Sequence, residues 1–400
     1  MSLFQFELKK LLINKKTIIT LSALFIVYAF VGFVLCSLPL GGKTNYDIYS
    51  RQVEQQIHTN NPELAAVSTE AYADAKVKYG DDDDVIDDVA KFIPDLMFNI
   101  NYARYIQHVD EYYNGSPKDA YDIPYGINVL EANIAKMEAD GDTTSFAHNK
   151  LVNQLSIEKS VGEPVYANTA LWEKLFGTWG NVIVVIMLFM PLAYFIVPVF
   201  SMEASTGMDN LILSSINGRK KIVTAKLAAV LVTSVVVVMM YCLATFLANF
   251  LSLGSFVGWD AALRSVTTYL RSPIGASIWQ YALVSAVWMV FCGGFLGVLY
   301  AFISSKINNS IAAFGVALGA IFGSLLLSDF SGLFPTALHS ILKFVPSDMA
   351  QLSKVFGAYS VFNVFGMVVP YYVIAPVVIV ILTGIMIFAI YHFQKKRRMT

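Results

Sequence analysis

Charge is what this chain of 400 residues has least of: Asp, Glu, Lys and Arg make up 14% of it, against 56% hydrophobic residues. Soluble domains carry about 25% charged and roughly 45–50% apolar residues, so a water-soluble globular fold is excluded. Cysteine is scarce as well. Cys36, Cys242 and Cys292 all lie in apolar stretches, which leaves the polar part of the chain without a disulfide framework and points weakly to a bacterial source. The net charge of −1 excludes a polyanion binder of the ordinary basic kind.

Catalytic signatures are missing too. The sequence has no His-Glu-x-x-His and no Gly-x-Ser-x-Gly, and His58, His108, His148, His339 and His392 are scattered. Gly42-Lys43-Thr44 matches the end of a phosphate-binding loop, but the glycine required five residues earlier is Ser37. Asp81–Asp84, Asp87 and Asp88 invite a calcium reading, yet an EF-hand loop from Asp81 needs Gly at 86 and Glu at 92, where Ile86 and Phe92 stand. Acidic residues leading into a helix are favoured by its dipole, which is the preferred reading, with cation binding as the alternative. The expectation is a protein that is not an enzyme, with no catalytic residue, no metal and no directly bound cofactor.

What is present is six long apolar runs, at 17–39, 181–200, 223–251, 276–303, 310–328 and 369–392. Each approaches or exceeds the ~20 residues needed to cross a hydrocarbon core of about 30 Å. The chain therefore reads as an all-α integral membrane protein with six transmembrane helices. The first run is too long for a signal-peptide core, and Pro39-Leu40-Gly41-Gly42 is a poor cleavage site, so it is read as retained. No run carries an ionisable residue near its middle. Lys226 and His392 sit at ends, where a side chain reaches the headgroups.

Six spans place both termini on one side. The segments of that side hold 13 Lys and Arg, including Lys9, Lys10, Lys15, Lys16, Lys306 and Lys395, while the two short opposite loops hold Arg264, Arg271, Lys343 and Lys354. The positive-inside rule makes both termini cytoplasmic. The polar insert 43–178, with 23 acidic and 11 basic residues, is then an extracytoplasmic domain. Its helical stretches are 62–79, 84–113 and 126–159, with breaks at Asn114-Gly115 and Gly141-Asp142. Segment 329–368 is a further outer piece whose apolar patches suit a re-entrant path.

Two cytoplasmic elements suggest a partner. In residues 1–16, Phe4, Leu8, Leu11 and Leu12 fall on one helical face flanked by lysines, an amphipathic elbow helix lying in the interface. Between spans two and three, segment 201–222 carries Glu203, Gly207, Leu211, Leu213, Ser214, Ile216 and Arg219, and Lys226 follows in span three. This arrangement resembles the membrane subunits of ABC-2-type exporters, in which a Glu and a Gly follow span two, then a short Leu-Leu-Ser-type helix, a basic turn and a Lys opening span three. The layout agrees over the whole chain and the motif over about 25 residues; Ile216-Asn217-Gly218 departs from the commoner Pro-Val or Pro-Leu before the Arg.

The resemblance implies a permease dimer, with an identical or related second subunit, driven by two copies of a separate ATPase that binds the ATP. Glu203, Gly207, Leu211, Leu213, Ile216, Arg219 and Lys306 are then the ATPase-coupling residues. The lack of charge within the spans suits an amphipathic or hydrophobic cargo, a peptide, lipid or drug, and the acidic outer domain suits a cationic one. The absence of carboxylates within the spans argues against proton coupling. Gly315, Gly319 and Gly323 in span five, with Gly293 and Gly297 in span four, form small-residue stripes for helix packing, read as packing within the chain in preference to a dimer seam. Pro191 and Pro198 are expected to kink span two. Two other classes fit the composition: a membrane-anchored sensor or assembly factor with an outer ligand-binding domain, and a sodium-coupled carrier.

Overall fold

The computed structural model describes residues 2–36, 48–53, 61–90, 92–116, 124–207, 220–253, 256–330 and 336–396. The chain is an all-α membrane protein. Its six helices of membrane-crossing length and apolarity are Lys15–Phe33, Val182–Ser205, Lys221–Leu253, Ile278–Lys306, Ser310–Asp329 and Tyr371–Lys395. Spans two, three and four form the centre and are about half buried within the chain, whereas spans one, five and six leave most of their surface uncovered. Uniformly apolar helices of this kind need no polar face, because hydrocarbon replaces water around them.

The contacts at the helix ends place both termini on one face. Lys10 reaches Glu203 at the end of span two. Ser201 bonds Ser310 at the start of span five (3.1 Å), and Thr224 at the start of span three bonds Tyr391 near the end of span six (2.8 Å). The N-terminal helix, Leu3–Leu12, lies on the same face and begins with a reciprocal cap, in which Gln5 N–H donates to Ser2 Oγ and Ser2 N–H to Gln5 Oε1. Glu7 and Leu11, one turn apart, are its buried residues, while Leu3 and Phe6 remain exposed.

Span two is irregular. A π-helical stretch, Val185–Phe189, passes into Met190–Ile196, and a break at Val197 precedes Pro198–Ser205. Proline lacks an N–H and clashes with the preceding turn, so Pro191 and Pro198 account for a helix that is not one regular rod. Ser304 of span four repairs the second break: Phe200 N–H (3.1 Å) and Ser201 N–H (2.9 Å) both donate to its hydroxyl oxygen, which donates in turn to Val197 O.

The region between spans one and two is mostly helical. Pro62–Tyr79 matches its sequence expectation, starting at an Asn61 cap and ending at Gly80 with φ of 97°. The expected 84–113 helix is two helices, Asp83–Ala90 and Pro94–Asn114, because Pro94 is tolerated only in a first turn. Similarly, 126–159 divides into Ile127–Ala139 and Phe146–Val161 around Gly141.

The region is also less self-contained than a separate domain. Tyr72, Ile86 and Ile100 belong to one small cluster, and Leu130, Ile134 and Leu151 form another. Tyr49, Val53, Phe98, Tyr102 and Tyr166 join the core of the spans themselves. Likewise, the helix Ala170–Gly180, which precedes span two, buries Leu171, Trp172, Leu175, Phe176 and Trp179 in that core.

Segment 329–368 contains short helices Thr336–Leu342, Pro346–Ala350 and Leu352–Phe356 and then, unexpectedly, a β-hairpin pairing Val361–Val364 with Met367–Pro370. Phe365 (φ 52°) and Gly366 (φ 89°) make its two-residue turn. Met349, Leu352, Val355 and Phe356 insert into the span core, and Trp288 of span four donates to Met349 O at 2.9 Å.

Candidate functional site

The densest charged group within the bundle sits where the N-terminal helix meets spans two and three. Glu203 occupies the last turns of span two and is 7% exposed; it is bonded by Lys10 Nζ (2.7 Å) and by Lys226 Nζ. Lys226, 2% exposed, also donates to Val199 O (2.9 Å) and lies over the Phe200 ring (4.7 Å). Glu7 is buried beside them, and burial raises its carboxyl above the usual range against the opposing pull of Lys226 and Lys10. Two carboxylates and two ammonium groups therefore balance in a confined space, as buried charge requires.

This geometry corrects one expectation. Lys226 does not reach toward headgroups; its ammonium turns inward, because Glu203 one helix away offers a partner that hydrocarbon does not. Glu203 has both of its oxygens engaged within the chain. It joins three elements, and any displacement of the N-terminal helix acts on spans two and three together.

Span two ends just beyond. Thr206 N–H returns to Met202 O (3.1 Å), and Gly207 adopts a φ of 71°, the left-handed stop that glycine makes without strain. Leu211, Leu213, Ser214, Ile216 and Arg219 lie outside the described residues.

The turn joining spans four and five borders the same junction. Asn309 caps span five by accepting from Ile311 and Ala312 N–H. Lys306 is exposed and stands over Phe302 and over Phe393 of span six. The Ser304 bonds to Phe200 and Ser201 tie this turn to the end of span two. The sequence marked Ser304 only as the first residue of the turn 304–309, a second partner contact in the resemblance, and gave no sign of its bonds to span two.

The glycine stripes separate into two kinds. A Cβ at Gly293 would lie 2.5 Å from Val238 Cγ2, and one at Gly297 would press on Ser234, Ile196 and Val230, so these glycines seat span four on spans two and three. A Cβ at Gly315, Gly319 or Gly323 would meet nothing within 4 Å. Packing inside the chain accordingly describes span four and not span five, whose glycine face has no neighbour among the described residues.

On the opposite face, two arginines of the loop between spans three and four, Arg264 buried and Arg271 partly exposed, fasten the insert. Arg264 pairs with Glu158 (2.6 Å) and donates to Ser272 O through Nε (3.1 Å) and Nη2 (3.0 Å). Arg271 pairs with Glu111 (2.9 Å) and lies 3.6 Å from the Tyr125 ring centroid. The acidic run is also engaged: Asp83 accepts from Tyr72 OH (2.7 Å), and Asp87 pairs with Arg104 (2.8 Å). Among the described residues no group of three or more His, Cys, Asp or Glu is placed to hold a metal ion.

No protein-family model matches the chain, and no curated protein matches it. The functional reading therefore stands on the residues and the geometry.

Proposed function

We propose that this protein is the membrane-spanning permease subunit of an ATP-driven exporter of the ABC-2 type. In this reading the face carrying the termini is cytoplasmic, in a bacterial plasma membrane, and the insert faces outward. The chain has no catalytic residue of its own; ATP is bound by two copies of a separate ATPase subunit, and a second permease completes the pathway. The cargo is amphipathic or hydrophobic.

One observation carries the reading: the Lys10–Glu203–Lys226 junction joins the N-terminal helix to spans two and three beside the Ser304–Asn309 turn. An ATPase docked on 208–219 and on Lys306 would push on a unit rather than on a loop. Leu211 and Leu213 supply apolar groups for a groove on the partner, and Arg219 and Lys306 supply orientation.

The test is mild-detergent purification of the tagged chain from its native host, with quantitative mass spectrometry of what co-elutes. A near-stoichiometric ATPase is expected, and it should be lost in Leu211→Asp/Leu213→Asp and in Lys306→Glu. These variants are preferred to Glu203→Ala, which removes a buried partner and disturbs the fold itself. No ATPase with the unaltered chain, under conditions that keep other membrane complexes intact, would sink the proposal and favour the sensor reading. Transport that follows a sodium gradient and ignores nucleotide would favour the carrier.

A further inference from the structure

Where the insert meets the outer loops 256–277 and 336–368, two adjoining open clefts of about 150 Å³ and 370 Å³ share His108 and Thr267 in their walls. Cavities of this size together reach the range that holds small ligands or a peptide side chain, roughly 300–1,000 Å³. The first is walled by Met97, Asn101, Tyr105, Tyr166 and Glu173, with Arg104 at one side. The rings of Tyr105 and Tyr166 stand 5.4 Å apart at 44°, and Tyr105 is only half-buried.

The charge accounting of this cleft is uneven. Arg104 is held by Asp87 and Arg271 by Glu111. Glu173 accepts from the hydroxyls of Thr169 (2.9 Å) and Thr267 (3.3 Å), which orient a carboxylate without neutralising it. Among the described residues Glu173 makes no ion pair. Burial lowers the basicity of His108, against the pull of Glu111 and Glu173, so the imidazole is a poor counter-ion near neutrality.

We propose that this cleft is a binding site for an alkylammonium or guanidinium group, seated against the Glu173 carboxylate with the Tyr105 ring beside it. A fixed carboxylate supplies the charge, and an aromatic wall supplies cation–π attraction without a competing hydration shell. The group belongs either to a basic side chain of a peptide or to a free amine. Glu173 lies on the Ala170–Gly180 helix, which leads into span two one residue later, and Glu203 lies in the last turn of span two. A ligand here touches the helix that leads into span two, and the far end of span two carries Glu203 of the charged junction. The site does not depend on the exporter reading, because binding is measured on the chain alone.

The test is calorimetric titration of the full chain in a non-ionic detergent at 0.15 M salt, since choline headgroups would compete. The probes are acetyl-Ala-Lys-Ala-amide, acetyl-Ala-Gln-Ala-amide and spermidine. The lysine peptide or spermidine should bind, whichever is tighter identifying the source, and the glutamine peptide should not. Glu173→Gln keeps both threonine bonds and should weaken binding at least tenfold. Glu131→Gln removes the same charge from the Lys159 pair elsewhere on the insert and should leave affinity unchanged. Tyr105→Leu should weaken it about fivefold, and it carries the test alone if Glu173→Gln unfolds. Equal affinity in Glu173→Gln and Glu131→Gln would reduce the effect to the diffuse field of an acidic insert and overturn the proposal. Binding of the glutamine peptide, or no binding by either cation, would overturn it as well.

Discussion

Removing the Lys226 ammonium is the sharpest probe of the junction. In Lys226→Met the Glu203 carboxylate loses its buried partner and keeps only Lys10, whose side chain is 38% exposed against 3% for Lys226. Breaking a buried pair by deleting one member costs about 3–5 kcal/mol, because the remaining charge stays desolvated. An exposed partner contributes ~0.2–1 kcal/mol. Lys10→Met should therefore cost several-fold less than Lys226→Met, although both lysines bond the same carboxylate. Glu203→Gln combined with Lys226→Met leaves no buried charge at the pair and should recover most of the single-mutant loss. The assay is equilibrium unfolding of the purified chain in mixed micelles, followed by tryptophan fluorescence. If Lys10→Met proved as damaging as Lys226→Met, or the double variant no better than the singles, the argument from burial would be wrong.

Other outcomes follow from the same geometry. Glu7 has a raised folded-state pKa, so the folded chain holds that proton more tightly than the unfolded one; the contribution is full below the ordinary value of 4.5 and is lost as pH rises through the raised value. Glu7→Gln should accordingly flatten the fall in stability above that region and leave the acidic limb unchanged, which unfolding curves across pH 4–8 would show. Ser304→Ala strips two buried N–H groups of their acceptor at about 1–3 kcal/mol each, and hydrogen exchange at Phe200 and Ser201 should accelerate. Gly297→Ala should destabilise the isolated chain by about 1–3 kcal/mol through overpacking, whereas Gly319→Ala should be silent in the same thermal scan. Arg264→Met should loosen the insert, and limited proteolysis near Glu158 would report it.

Much of the architecture was open to inspection in the sequence because hydrocarbon imposes so coarse a filter. A run of about twenty apolar residues has few alternatives, and all six spans are helices. Pro198 and Gly141 mark irregularities that the backbone obeys, whereas Pro94, read within one helix over 84–113, divides it in two. The long polar insert was legible as helical but not as dependent, because Phe98, Tyr102 and Tyr166 look like any amphipathic face until their partners are known. The hairpin at 361–370 escaped notice since four-residue strands have too little periodicity to stand out.

At the junction, Glu203 and Lys226 were picked out by motif, yet their mutual pairing was not. Nothing in a spacing of 23 residues states that two helices bring the ends of both side chains together. Glu7 was missed outright, although a carboxylate one turn before Leu11 on the buried face was the available signal. The Glu173 cleft is assembled from segments about a hundred residues apart, and no local pattern announces it.

The sharing of core residues between the insert and the spans has a practical corollary for anyone isolating parts of this protein. A soluble fragment cut at the membrane boundaries would carry Tyr49, Val53, Phe98, Tyr102 and Tyr166 away from the side chains that cover them, and would leave Glu158 and Glu111 without their arginines. Such a fragment would present a sticky aromatic floor to solvent and would self-associate. Antibodies or ligands selected against it would find surfaces that the intact protein never shows. Evolution meets the same obstacle: this insert cannot be traded between bundles as a cassette, because its buried aromatic residues share one core with the bundle that receives it.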